Sequence, residues 1–310
     1  MGETADVKQS VRQFYDRVGW QVVADGNYQN ARYEDLRPVA REYIHRCHLR
    51  VKRHLKPSGR FLLDAGSGPV QYPQYLTYSE GYQYRVCADI SIVALQEARM
   101  RLGERGLYVV ADVANLPFKP EPFDGVVSLH TLHHLPLAEQ SKAYQELYRV
   151  LCPGSTAVVV NGWTDSPLMR RTLGLVRLAE RAVAGAAMVE NWLARRRRPK
   201  DGREQPVATP VDVTQTQPSE GAANRPATAQ ASATGTFIRK LDAAWLREQL
   251  GGRIHYEIYS WRSVSVRFLR ALIHAPLAGR LWLRLLFWLE DRFPRFFGEK
   301  GQYPLIVVRK

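Results

Sequence analysis

Three aspartates, Asp64, Asp89 and Asp112, each close a short apolar run, and a fourth run leads into three imidazoles, His130, His133 and His134. An ionised carboxylate only accepts hydrogen bonds, so three of them delivered to one place select a ligand rich in donors and positive charge. Imidazoles titrate near neutrality and suit a base that removes a proton from a phenol, enol or acidic carbon. Just behind Asp64 stands Gly66-Ser67-Gly68, where two glycines let the backbone turn tightly and approach a ligand with no Cβ in the way. A plain strand-to-helix turn would use the same glycines, so the weight falls on the acids around them.

The elements that must carry these residues alternate in kind. Arg60 to Asp64, Tyr84 to Asp89, Leu107 to Ala111, Gly125 to Leu129 and Ala157 to Val160 have the length and apolar character of buried strands. Helical stretches separate them, the clearest being Ile92 to Leu102, with Ser91 as N-cap, and Ala138 to Leu151, closed by Pro153-Gly154. This order predicts a doubly wound, Rossmann-like α/β fold whose parallel strands deliver all three aspartates to one carboxyl edge. A ribose diol, an adenine amino group and a sulfonium or ammonium together satisfy three such acceptors, and S-adenosylmethionine carries them all. A dinucleotide would want a third glycine where Gln71 stands.

Five stretches, in order, make the family resemblance: Leu62-Leu63-Asp64-Ala65-Gly66-Ser67-Gly68, Ala88-Asp89-Ile90-Ser91, Ala111-Asp112-Val113 through Phe118, Phe123 through Ser128, and Leu147 through Gly154. The region 58–163 resembles the class I S-adenosylmethionine-dependent methyltransferases, in particular the small-molecule branch related to quinone-methylating enzymes. The resemblance implies a seven-strand sheet, mostly parallel with an antiparallel last strand, and helical insertions. It implies Gly66, Ser67 and Gly68 around the cofactor, Asp64 near the methionine amino group, and Asp89 with Ile90 at the ribose. It also implies Asp112 with Val113 at the adenine, and Ser128, Leu129 and His130 lining the sulfonium side. Val70 departs from a glycine common in relatives. His133 and His134 are the candidates for a base. Tyr15, on an aromatic amino-terminal segment followed by Tyr28 and Tyr33, would lie over the cofactor as part of a lid and face the substrate. Asn161 and Trp163, after the fifth strand, would face the acceptor. No metal site is expected.

Five regions follow: an amino-terminal helical lid (1–57), the cofactor-binding core (58–163), a basic amphipathic helical segment (164–201), a disordered linker poor in large apolar residues (202–236), and a sheet-completing part (237–310) interrupted by helices over 264–300. The last part is read as a helix from Leu241 to Leu250 and strands from Ile254 to Ser260 and Tyr303 to Val308. Across 310 residues, 44 Lys and Arg against 30 Asp and Glu leave a net charge of +14. Three widely spaced cysteines fit neither a disulfide framework nor a zinc site and point to a reducing compartment. The first ten residues have no apolar core of a secretory signal, and no apolar run is long enough to span a bilayer. The expected protein is cytoplasmic and peripheral to the inner face of a membrane. Arginine-rich helices carrying Trp and Leu would meet anionic headgroups there, next to a hydrophobic or lipid-linked acceptor. An RNA methyltransferase and a non-catalytic S-adenosylmethionine-binding protein are the alternatives. Nucleic acid is the weaker partner because no base-methylating motif or RNA-binding module accompanies the charge.

Overall fold

A computed structural model describes residues 2–20, 29, 33–197 and 236–310. Tyr28, Arg198 and, Thr236 apart, the 202–236 tract lie outside the described residues. Seven strands form one sheet: β1 (Gly59–Ala65), β2 (Tyr82–Asp89), β3 (Gly106–Val110), β4 (Phe123–Leu129), β5 (Leu151–Val160), β6 (His255–Arg262) and β7 (Tyr303–Arg309). Their order is β3-β2-β1-β4-β5-β7-β6. The first five are parallel, while β7 runs antiparallel between β5 and β6. The strand order reverses between β1 and β4, which opens a crevice at their carboxyl ends where open α/β sheets take ligands. Because β7 is antiparallel, Tyr303 at its start shares that edge with Arg262 at the end of β6, its register partner.

Ten α-helices accompany the sheet among the described residues: α1 (Gly2–Phe14), α2 (Arg41–Leu49), α3 (Pro73–Leu76), α4 (Ile92–Leu102), α5 (Leu137–Arg149), α6 (Pro167–Arg197), α7 (Ala243–Leu250), α8 (Val266–Leu272), α9 (Gly279–Arg292) and α10 (Pro294–Lys300). Successive strand residues point to opposite faces and split the core in two. Leu63, Val126 and Val159 pack with Leu147 of α5 and Leu246 of α7. Leu62, Val127 and Val158 pack with Ile44 of α2 and Phe287 of α9.

Ser91 caps α4 as the sequence implies, its Oγ accepting from Ala94 N at 3.1 Å, and Asp242 caps α7 through Trp245 N at 2.7 Å. Pro153-Gly154 does not close the preceding helix. α5 ends at Arg149 and β5 already begins at Leu151, with Gly154 at φ +71 inside an irregular first stretch of the strand. Pro153 is tolerated there because a strand's entry can forgo a ladder bond, and Gly154 N still donates to Lys310 O at 2.7 Å. The stretch 264–300 is three helices, joined to the amphipathic segment where Arg267 pairs bidentately with Glu180 of α6 at 2.8 Å.

Candidate active site

The glycine loop is a close-contact turn. Gly66 and Gly68 take φ of +74° and +52°, and a Cβ on Gly66 would stand 2.1 Å from the Thr131 side chain. At Gly68 it would stand 2.9 Å from the indole of Trp20. Thr131 holds this position by donating from Oγ1 to Gly66 O at 3.1 Å. Ser67 donates from Oγ to Gly68 O at 3.1 Å. Val70 takes φ +52° as well, a left-handed conformation that is costly for a β-branched residue, and its side chain is fully buried. The departure from glycine therefore changes the side chain at this turn while the backbone keeps a glycine-like shape.

Asp64 has a partner the sequence reading missed. Arg85 of β2 donates from Nε to Asp64 Oδ2 at 3.0 Å and again from Nη2 to the same oxygen, while its Nη1 binds Tyr75 O at 2.5 Å. Both side chains are almost completely buried. The carboxylate expected at a methionine ammonium is thus one half of a buried ion pair. A charged residue in the apolar run Tyr84-Arg85-Val86 was the only signal for it.

Asp89 and Asp112 lie at the open edge. Asp89 accepts from Gly68 N through Oδ2 and from Ser91 N through Oδ1, both at 2.9 Å. Burial raises its carboxyl to about 6 against the pull of those two N–H groups, with like charge from Asp64 and Asp16 adding to the rise. Asp112 takes Ala114 N at 3.0 Å, Asn115 Nδ2 at 2.9 Å and Lys8 Nζ at 2.6 Å. Burial opposes its charge, but Lys8 and the two amide donors outweigh it and hold the carboxyl below its ordinary range. Lys8 also reaches Glu139 at 2.5 Å, so α1 is fastened across the adenine end that the resemblance implies. Ile90 is half-buried beside Asp89, and Val113 is buried in the core behind Asp112.

The imidazoles differ in what they can do. His134 Nδ1 lies 2.8 Å from the carbonyl of Phe237, which can only accept, so Nδ1 carries the proton and Nε2 accepts from Tyr15 Oη at 2.7 Å. Both of its nitrogens are engaged, and burial lowers it to about 4. His133 Nδ1 meets Asn161 Oδ1 at 3.3 Å, and burial followed by the neighbouring imidazoles keeps His133 well below its ordinary value. His130 takes φ +56° and donates its N–H to Val160 O at 2.7 Å. Its ring is buried against Trp261 at 4.9 Å, and Nε2 meets no partner among the described residues. Burial first, then the charge of Arg262, lowers it to about 3. Leu129 is half-buried before it.

Two of the expected site residues are engaged inside the fold. The hydroxyl of Ser128 donates to Ala65 O at 2.8 Å, tying β4 to β1 inside the sheet, so its proton is not offered to a ligand. Trp163 is buried with its indole N–H donated to Gly298 O at 2.8 Å, which makes it a strut under α10 rather than an acceptor-facing side chain. In its place stands a wall from the ends of β6 and β7. Trp261, Arg262 and Tyr303 are packed together, with the guanidinium 5.0 Å from one ring and 4.4 Å from the other. Glu34 pairs with Arg262, and His48 of α2 stacks on Trp261 at 5.5 Å. Trp261 Nε1, like His130 Nε2, is buried without a partner among the described residues. An aromatic-basic pair at the end of a strand returning to the same edge was the signal for this wall.

Residues 63–159 match the family model described as a methyltransferase domain. The phosphoethanolamine N-methyltransferase 1 of Haemonchus contortus, solved with S-adenosylhomocysteine, shares the fold at a TM-score of 0.53 and 10% identity, over 99% of this chain and 50% of that one. The chain carries a class I S-adenosylmethionine-dependent methyltransferase domain. It is 29% identical over 178 residues to the tRNA (carboxymethyluridine(34)-5-O)-methyltransferase of Arabidopsis thaliana, covering 50% of this chain and 40% of that protein. It is 34% identical over 117 residues to the demethylmenaquinone methyltransferase of Clavibacter sepedonicus, covering 37% and 46%. The chain thus spans less than half the length of these relatives.

Proposed function

We propose that this chain methylates a hydrophobic small molecule, quinone-like, isoprenoid or lipid-linked, at the cytoplasmic face of a membrane. The observation that carries the reading is that Asp89, Asp112, the Gly66–Gly68 turn and a buried aromatic wall all stand at the carboxyl edge of the parallel strands. When bound, S-adenosylmethionine supplies an electrophilic methyl group on a sulfonium.

The residues fit that donor. Each oxygen of Asp89 takes one N–H bond and keeps a lone pair, which suits two ribose hydroxyls. Asp112 and the backbone at Val113 serve the adenine, Ile90 packs beside the ribose, and Leu129 and His130 line the reacting side. Asp64, with Arg85, holds the strand ends and the turn in register. Tyr15 and Trp20 cover the turn and exclude water. His134, with both nitrogens engaged, positions Tyr15. His133 is the proton acceptor: its Nδ1 faces the Asn161 carbonyl oxygen, which can only accept, so Nε2 carries the lone pair, although burial lowers its basicity. Asn161 orients it.

A second reading, RNA methylation, is favoured by the Arabidopsis thaliana relative and the net charge of +14. Incubation of the purified chain with radiolabelled S-adenosylmethionine and a fractionated cell extract separates the readings. Label in the organic phase, lost with His133→Ala, supports the small-molecule reading. Label in RNA overturns it, and no label despite cofactor binding supports a non-catalytic binder.

A further inference from the structure

The inner side of α9 is locked to the fold. Leu283 and Phe287 are buried, and Glu290 accepts from Tyr43 Oη at 2.8 Å, Arg50 Nη1 at 2.8 Å and Ser263 N at 2.7 Å. Asp291 accepts from Arg50 at 2.9 Å and Arg53 at 3.1 Å. Both acids of the helix are therefore engaged with arginines. Its outer side is the reverse of a water-facing surface. Leu281, Trp282, Leu285 and Trp288 are 67%, 59%, 44% and 58% exposed, and their spacing puts them in one band. Exposed Arg280, Arg284 and Arg292 border or end the band, and Arg284 alone among these three meets an acid, Glu42, at 3.2 Å in an exposed pair of small worth.

We propose that this face of α9 docks on an anionic lipid bilayer, with the helix lying in the plane of the interface. Two tryptophans amid leucines match the boundary between headgroup and hydrocarbon. Arginines at the rim lay their stems along apolar surface and bring their charge to phosphate. Anionic lipid supplies the charge that the +14 chain lacks, and a neutral apolar partner would leave the rim arginines uncompensated. Spanning is not implied, since no described helix is long and apolar enough to cross a membrane. The inner face holds Ser263 through Glu290, and Arg50 Nη1 donates to Trp261 O at 2.9 Å. Docking therefore sets the aromatic wall about one helix diameter, roughly 10 Å, from the lipid. Docking deepens the membrane part of the proposed function, and this last step rests in addition on the proposed acceptor site.

The test is co-flotation of the full chain with phosphatidylglycerol–phosphatidylcholine vesicles and with phosphatidylcholine alone, at low and high salt, using wild type and Trp282→Ser/Trp288→Ser. Calorimetry with S-adenosylhomocysteine on the same preparations reports the cofactor reading separately and shows that the variant is folded. The expected result is binding to anionic vesicles that weakens with salt and falls at least about tenfold in the double variant, with cofactor affinity unchanged. Quenching of wild-type tryptophan fluorescence by brominated lipid acyl chains would accompany it. A protein that stays unbound at low salt, or floats equally well without the two tryptophans, overturns the proposal. So does a dimer in sedimentation that the double variant abolishes, which would assign the face to a second copy.

Discussion

At the scale of single residues, the two edge aspartates and the buried one have different jobs despite similar sequence settings. Arg85→Ala leaves Asp64 charged and unpaired inside the sheet, and a cost of about 3–5 kcal/mol is expected in urea unfolding. In the proposed function Asp89 is the ligand-binding acid. Its carboxyl, raised to about 6, must be ionised to accept two hydroxyls, so cofactor affinity falls as pH drops through that value. Titrations at pH 7.5 and pH 5 are expected to differ about tenfold, and a flat profile would remove Asp89 from the role.

The amino-terminal segment 2–20 is attached to the core through Lys8 on Asp112 and Glu139, Tyr15 on His134, Asp16 on Ser91 and Trp20 against Gly68. Lys8→Ala leaves two carboxylates facing each other without their cation. It is expected to speed cofactor release about three- to tenfold in stopped-flow measurements while moving the core's stability by less than about 1 kcal/mol. The same contrast explains what the sequence made legible. Parallel strands read as apolar runs, even β3, which turns out to be a half-exposed edge strand, and acids stand at the ends of three of them, so five strands, the Ser91 cap and the Asp89 and Asp112 positions followed from local pattern. Arg85 on Asp64, Lys8 on Asp112 and Glu34 on Arg262 join residues 21, 104 and 228 positions apart, and no local pattern encodes such pairs. Ser128 and Trp163 stand where ligand-facing residues are expected, but their polar atoms are consumed by a neighbouring strand and by α10. Pro153-Gly154 signals the end of a helix and an irregular strand entry equally well.

For the molecule as a whole, buried neutral imidazoles make the fold acid-sensitive. His134 is lowered to about 4 and His130 to about 3, so between those values and the ordinary 6.5 the unfolded chain binds more protons than the folded one. Stability is complete above pH 6.5 and is lost as pH falls toward the folded values. His134 alone is expected to account for about 2 kcal/mol between pH 6.5 and 5. Asp89, shifted upward, acts in the opposite sense over part of this range. Comparing the pH dependence of unfolding in wild type and His134→Asn isolates the histidine, and an unchanged slope would show that His134 does not stay neutral in the fold. The central claim, that this edge holds an adenosyl sulfonium through Asp89, is tested most directly by calorimetric titration of S-adenosylmethionine into wild type and Asp89→Ala at pH 7.5. Saturable one-site binding that weakens about 100-fold or more in the variant is the predicted result, since two hydrogen bonds to a charged acceptor are lost. Equal affinity in the two proteins, or no binding by the wild type, would contradict it.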